Sequence, residues 1–466
     1  MSILKAKLNN VFENLFTFLV LFLIPASIFR SNASFPDYPS LFLFRIITGL
    51  ILGLFLIWFL IDSREVQKKF KKLFSIKYYL LFFVFWFTLS LVSYFWSADK
   101  YSNIRYNVFF LFWMILIFSL PLFVGKSTKR LKIIYKFFFL ALVIVLVMCF
   151  FEMFFRLRMP ESKLFFTPRR FQWAVTSFFY NPNNFATYLS LSLPFLLLLP
   201  IWLEKRSLRA LNFALILLLI LSYSFTNSQV NRIILGLETI VCTYFLIQHK
   251  IKDIFTYIGI GFVVLFLSVS YLGLDIKYYF FPEEGLEYEY LEEQSDLGLM
   301  LDTAYAGGGS IHTRIQLARN AFQELKDPKT FLIGVGSGNA ENRISYYVNT
   351  EGKLSMHNFW VEIALLWGIP FFILYSVFYL FLLRGLYKIL QNAKSVFRKE
   401  NSSDLASDKF FYYLTMSFLI SMLGFIIGSI SPSSAFVFAP TWLYFGFCLA
   451  WINLINSKFT TQGGSA

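Results

Sequence analysis

Cysteine, histidine and charge are all scarce in this chain. Of 466 residues, three are cysteines, three are histidines and 15% are charged, where a soluble domain carries about a quarter charged residues. Cys149, Cys242 and Cys448 each fall inside an apolar run. That placement excludes a disulfide framework or a cysteine metal site and leaves them as small buried hydrophobes. No Walker-type phosphate loop is present either: Gly334-Val-Gly-Ser-Gly-Asn339 lacks the Lys-Ser/Thr ending and a βαβ setting. Its spacing supports a tight turn or an anion nest and nothing more specific. No internal repeat is evident, which removes the usual sign of an inverted-repeat transporter.

Apolar residues fill the space that charge leaves. The chain is 57% hydrophobic and holds 61 phenylalanines. Runs near 11–29, 40–61, 78–97, 105–124, 133–154, 184–203, 210–226, 233–248, 254–272, 358–383, 410–430 and 440–457 approach or reach the ~20 residues that cross a hydrocarbon core. The expected fold is an all-α polytopic membrane protein. It has about twelve transmembrane helices and one long outer-face loop containing short helices. The chain divides into helices one to nine over 1–271, the loop over 272–357, and helices ten to twelve over 358–466.

The net charge of +15 would suit nucleic acid, but its distribution argues for membrane topology. Lys68, Lys69, Lys71 and Lys72, then Lys126, Lys129 and Arg130, then Lys205, Arg206 and Arg209 fall in alternate loops. By the positive-inside rule those loops face the cytoplasm. The chain is therefore expected to bind membrane lipids and no nucleic acid, with the long loop outside.

The outer loops carry the unusual residues. Arg156, Arg158, Arg169 and Arg170 run against the insertion bias, and snorkelling to lipid phosphates is one reason for them. Asn181-Pro-Asn-Asn184 is expected to cap span six through Asn183 or Asn184. Arg232 opens span eight, where free N–H groups and the macrodipole already favour an anion; the alternatives are snorkelling or pairing with a nearby acid such as Glu238. In the long loop, the acidic stretch from Tyr278 to Asp302 reads as a solvated face. A helix then starts at Ser310, with an apolar stripe of Ile311, Ile315, Ala318, Phe322 and Leu325. Arg314 falls in its first turn, and Arg319 lies further along. His357-Asn358 opens span ten, with Glu362 one turn later and Gly368-Ile-Pro370 positioned to kink it.

In order and spacing these pieces resemble the O-antigen ligase and polymerase superfamily of bacterial membrane glycosyltransferases. The resemblance covers residues 178–370. It rests on Asn181-Pro182-Asn183 running into Phe185-Ala186, on Arg232 opening a later span, and on Arg314 at a loop helix start. Gly334 to Asn339, then His357-Asn358 with Gly368, complete it. Two positions depart: Asn231 stands where a serine often precedes the arginine, and Phe371 stands where a second glycine is often found.

The resemblance implies a bacterial inner-membrane enzyme working at its periplasmic face. It would move a glycan from undecaprenyl diphosphate to an acceptor hydroxyl, on lipid A–core in a ligase or on another glycan in a polymerase. Loop order favours the ligase. His357 would be the general base, and Arg232 and Arg314 the diphosphate clamp. Asn183, Asn184, Arg319, Asn358 and Glu362 would play supporting roles. Arginines in the place of a divalent cation imply no metal and no cofactor. A lipid-linked oligosaccharide transporter is the alternative from another class. It calls for charged residues at mid-span, and Lys136, Glu152, Glu238 and Glu362 are a thin set for a translocation path.

Overall fold

A computed structural model describes residues 2–29, 32, 34–35, 38–165, 174–226, 228–251, 253–271, 310–347, 354–397, 405–432, 434 and 436–462. The acidic stretch 278–302, Arg169 and Arg170 lie outside the described residues.

In chain order the helices are α1 (Ser2–Phe29), α2 (Leu43–Lys71), α3 (Lys77–Val92), α4 (Lys100–Val124), α5 (Thr128–Phe155), α6 (Pro182–Leu197), α7 (Arg206–Ser224), α8 (Gln229–Gln248) and α9 (Ile254–Tyr271). Among the described residues of the loop three short helices follow, α10 (Ser310–Glu324), α11 (Pro328–Ile333) and α12 (Ala340–Ile344). The last three are α13 (Phe359–Phe397), α14 (Leu405–Gly428) and α15 (Ala439–Gln462). A small antiparallel hairpin, β1 (Ser34–Phe35) with β2 (Tyr38–Phe42), joins α1 to α2. The protein is an all-α polytopic membrane protein.

Helices stand at all twelve expected span positions, and among the described residues ten of them are long and apolar enough to cross a membrane. In α9 the apolar stretch Ile254–Val269 is shorter than those spans. The other exception, α15, carries Asn453 and Asn456 and lies almost wholly buried against α4 and its neighbours. A helix sheathed in protein need not be as apolar as one facing lipid. α6 is likewise enclosed along its whole length, between α14, α8 and α7. By contrast α2 turns Leu50, Ile57 and Leu60 outward, as a lipid-facing helix does.

Helix starts follow from the sequence through caps. Asp99 accepts from the N–H of Ser102 at the head of α4, and Asp327 from that of Thr330 at the head of α11. At α6 the cap is Asn181, whose Oδ1 accepts from Asn184 N–H at 2.8 Å, with Pro182 in the first turn. This corrects the expectation that Asn183 or Asn184 caps the span. The Asn-Pro pair is the better start because proline at the first helical position supplies no N–H that needs a partner.

The expected stripe on α10 holds at Leu325, just past the helix end and buried, and is corrected elsewhere: the buried residues of the helix are Thr313, Leu317, Asn320 and Ala321, while Ile315 is 39% and Phe322 57% exposed. Phe331 and Leu332 on α11 are exposed beside them in sequence. Apolar periodicity predicts the inward face only where the outside is water, and a helix beside a bilayer has an apolar outside too.

The two ends of the bundle differ. At one end Glu13 pairs with both Lys69 and Arg130, Arg209 with Asp253, and Lys409 with Glu204. These are the loops the charge bias assigns to the cytoplasm. The starts of α4, α6, α8, α13 and α15 and the loop helices gather at the other end.

Candidate functional site

The glycine run fixes the long loop to the membrane helices. α13 breaks at Gly368, with φ 84° and ψ 168°, and Pro370 has no N–H to return to Leu366. The carbonyls of Leu365 and Leu366 instead accept from the N–H groups of Val335, at 2.9 Å, and Gly336, at 3.0 Å. Gly334 approaches so closely that a Cβ there would lie 2.3 Å from the Leu366 oxygen.

Ser337 continues the lock. Its N–H donates to Ser93 Oγ, and its own Oγ meets Ser90 Oγ and accepts from Trp367 Nε1. Asn103 Nδ2 donates to its carbonyl. Asn339 exchanges bonds with the backbone of Asp99. The N–H groups of residues 335, 336, 337 and 339 all have protein acceptors. The segment is therefore a structural anchor, and the anion-nest reading falls.

Immediately before α13, His357 has φ +47°, a left-handed backbone uncommon for a non-glycine residue. Asn358 Oδ1 accepts from the N–H groups of Trp360 and Val361 and so caps the helix. One turn in, the Glu362 N–H donates to the Asn358 carbonyl.

The turn between α14 and α15 ties several of these elements together. The Phe359 N–H donates to the Ser429 carbonyl at 3.2 Å. Ser434 Oγ donates to Glu362 Oε1 at 2.7 Å. Asn231 Nδ2 donates to Ser431 Oγ at 2.6 Å and to Ser228 Oγ at 2.9 Å. The next residue, Arg232, is 8% exposed in the first turn of α8, its guanidinium 6.0 Å from the Phe266 ring. The expected alternative partner, Glu238, makes no hydrogen bond through either carboxyl oxygen, so a bonded Arg232–Glu238 pair is not formed.

A cavity of about 400 Å³ opens beside this turn. Ser102, Arg105 and Tyr106 from α4, Glu161 and Tyr180 from the loop after α5, Asn184 from α6, Gly338 and Glu341 from the long loop, Glu362 from α13, and Ser434 line it. Asn184 and Glu362 were legible in the sequence. His357 and Asn358 lie within about one turn of Glu362 in sequence, and Arg232 reaches the same α14–α15 turn through its neighbour Asn231. Arg314 stands beside the buried face of α10, which packs on α13 and α12; burial lowers its guanidinium from the ordinary value. Arg319 is exposed. Asn183 contributes its carbonyl to Thr187 Oγ1.

Sequence reasoning missed the α4 residues. A signal was available: Ser90, Ser93, Ser97, Asn103 and Asn107 are too polar for lipid-facing positions, and Arg105 is a cation at a helix start.

Arg158 belongs to a different network. Its Nε lies 3.6 Å from Glu152 Oε1, and its Nη1 and Nη2 donate to the carbonyls of Leu164 and Ala174. Glu152 also accepts from the N–H groups of Thr176 and Ser177. This arginine therefore holds the α5–α6 loop, and the snorkelling reading does not apply to it.

No family model matches the chain. Over 449 residues it is 25% identical to the teichuronic acid biosynthesis protein TuaE of Bacillus subtilis (strain 168), covering 94% of this chain and 84% of that protein.

Proposed function

We propose that this multi-pass membrane protein takes part in polysaccharide biosynthesis as a metal-independent, inverting glycosyltransferase with a polyprenyl-diphosphate-linked glycan as donor. The observation that carries the reading is the convergence at one end of the bundle. Phe359, two residues after His357 in its left-handed backbone, and Asn231, next to Arg232 at a helix start, both bond to the α14–α15 turn, and Ser434 of that turn lines a polar cavity. Strained backbone at a non-glycine residue gathers at functional sites. Similarity along almost the whole chain to a protein named for teichuronic acid biosynthesis supports the polysaccharide role.

The chemistry uses the residues in turn. His357 takes the proton from the acceptor hydroxyl. The acceptor oxygen attacks the anomeric carbon from the face opposite the diphosphate, and a new glycosidic bond forms with inversion. The old C–O bond breaks, and its electron pair stays on the undecaprenyl diphosphate. Arg232 and Arg314 hold that diphosphate and stabilise its growing charge. By the charge bias the reaction faces the periplasmic side of a bacterial inner membrane. A lipid-borne donor would enter sideways, between helices.

Motif order favours a ligase that acts on lipid A–core. The relative's name, which speaks of a polysaccharide and not of lipid A, favours joining of repeat units. Deleting the gene and identifying the accumulated glycan separates them. Full-length glycan stranded on undecaprenyl diphosphate means a ligase, and single stranded units mean a polymerase. His357→Ala should reproduce the deletion at normal protein level, with a loss of at least about a hundredfold in transfer. Retained transfer would overturn the reading.

A further inference from the structure

A second cavity, of about 540 Å³, lies at the other end of the bundle, where α1, α2 and the turn between α4 and α5 meet. Four cations line it: Lys69 and Lys72 from α2, Lys126 from the turn, and Arg130 from α5. Two carboxylates stand against them, Glu13 and Glu65, and both are engaged. Glu13 bridges Lys69 and Arg130, the latter at 2.6 Å, and Glu65 accepts from the exposed Lys68 at 3.2 Å. The ammonium groups of Lys72 and Lys126 have no hydrogen bond or ion pair among the described residues, and both side chains are exposed.

These two lysines are brought together by the fold. The Lys72 chain runs over the turn that presents Lys126, so that a Cβ on Gly125 would lie 3.6 Å from Lys72 Cδ. Asn453 fixes that turn by donating to the Gly125 carbonyl at 3.2 Å. Ser127, also in the lining, caps α5, whose N-terminal partial positive charge adds to the same place. The bias that orients a membrane protein asks only for cations in a loop. It does not ask that lysines from two separate loops converge on one cavity and stay unpaired. An anion held there gives the convergence a reason.

The setting narrows the anion. The volume falls within the range of small-molecule sites, roughly 300–1,000 Å³, and lysine serves phosphate as a point charge. Val11 and Leu60, close in sequence to the lining residues Asn10 and Trp58, are 60% and 84% exposed, as lipid-facing positions are. The cavity thus borders helix surface along which acyl chains lie. We propose that it is a binding site for the phosphate of an anionic lipid headgroup, held by Lys72 and Lys126. A lipid bound there links the α1–α2 pair to the α4–α5 turn.

The test uses the full chain in a neutral detergent and three probes, read by native mass spectrometry and thermal melting. The probes are dioctanoyl phosphatidylglycerol, dioctanoyl phosphatidylcholine and glycerophosphoglycerol, which is the first probe's head without its chains. Phosphatidylglycerol should bind saturably and raise the melting midpoint, and phosphatidylcholine should bind at least about tenfold more weakly. Lys72→Gln combined with Lys126→Gln should weaken phosphatidylglycerol by about tenfold or more. Both positions are exposed and unpaired, so folding is not at stake. Lys71→Gln with Lys129→Gln removes the same charge from exposed neighbours outside the lining, and should leave binding nearly unchanged.

No saturable binding, or equal binding of the two lipids, would overturn the proposal. So would an equal loss in the two double variants, because diffuse surface charge would then account for the affinity. Glycerophosphoglycerol separates a lipid from a soluble phosphate. Binding at least about tenfold weaker than that of the intact lipid supports the lipid, and equal binding means that the chains add nothing and the lipid assignment falls.

Discussion

Replacing Gly334 by alanine tests how the long loop is joined to the membrane helices. Gly334 has φ 70° and ψ −179°, a region open essentially to glycine alone, at a cost of about 1–3 kcal/mol for other residues. The new methyl would sit 2.3 Å from the Leu366 oxygen and 2.4 Å from Trp367 N. Both are backbone atoms that cannot swing away. Relief requires the segment to back off, which lengthens the bonds from Val335 and Gly336 to the freed carbonyls, each contributing about 1 kcal/mol.

The expected destabilisation is about 3–4 kcal/mol, which raises the unfolded population roughly a hundred- to a thousandfold. Three natural thiols report it, because Cys149, Cys242 and Cys448 are all buried and react with a maleimide only on opening. Gly125→Ala is the control for strain alone. Its φ is also positive, at +52°, but a Cβ there has neighbours no closer than 3.6 Å. Gly49→Ala, in α2 with nothing within 4 Å, should gain up to about 1 kcal/mol. If Gly334→Ala is labelled no faster than Gly125→Ala, the backbone lock is not what holds the loop.

Three further outcomes are expected. Arg232→Ala and Arg314→Ala should each reduce transfer about ten- to a hundredfold at low donor concentration, and EDTA should leave transfer intact; two variants with wild-type kinetics, or strict metal dependence, would remove the clamp. Glu152→Ala takes the carboxylate from Arg158 and from two backbone N–H groups, so it should cost about 3–5 kcal/mol. Limited proteolysis between residues 156 and 181 reads this, and Glu152→Gln should cut more slowly than Glu152→Ala. Glu238, whose carboxyl makes no hydrogen bond and lies against Gly424, should tolerate Glu238→Met with no loss of thermal stability in detergent; a clear loss would reveal a role for the carboxyl.

Much of this was legible in the sequence because membranes reward simple patterns. Apolar run length gave helices at all twelve expected positions, and Arg158, which runs against the charge bias, marked a network that holds a loop. What stayed hidden depended on partners distant in the chain. Tyr106 and Arg105 sit in or beside a run that reads as a span, and only the approach of α6, α13 and the loop turns them into a cavity wall. Ile315 and Phe322 misled because apolarity marks the inside only when the outside is water. The Gly334–Asn339 run looked like an anion site because its real acceptors, Leu365 and Leu366, become available only where Gly368 and Pro370 break α13.

That break also constrains the order of biogenesis. The carbonyls that receive the loop lie in a helix made after the loop, and Ser90, Ser93 and Asn103 lie in helices made long before it. The segment 334–339 can therefore complete its bonds only after α13 has been made. Only then do its early and late partners both exist. A defect in making α13 should therefore register first as proteolysis of the loop.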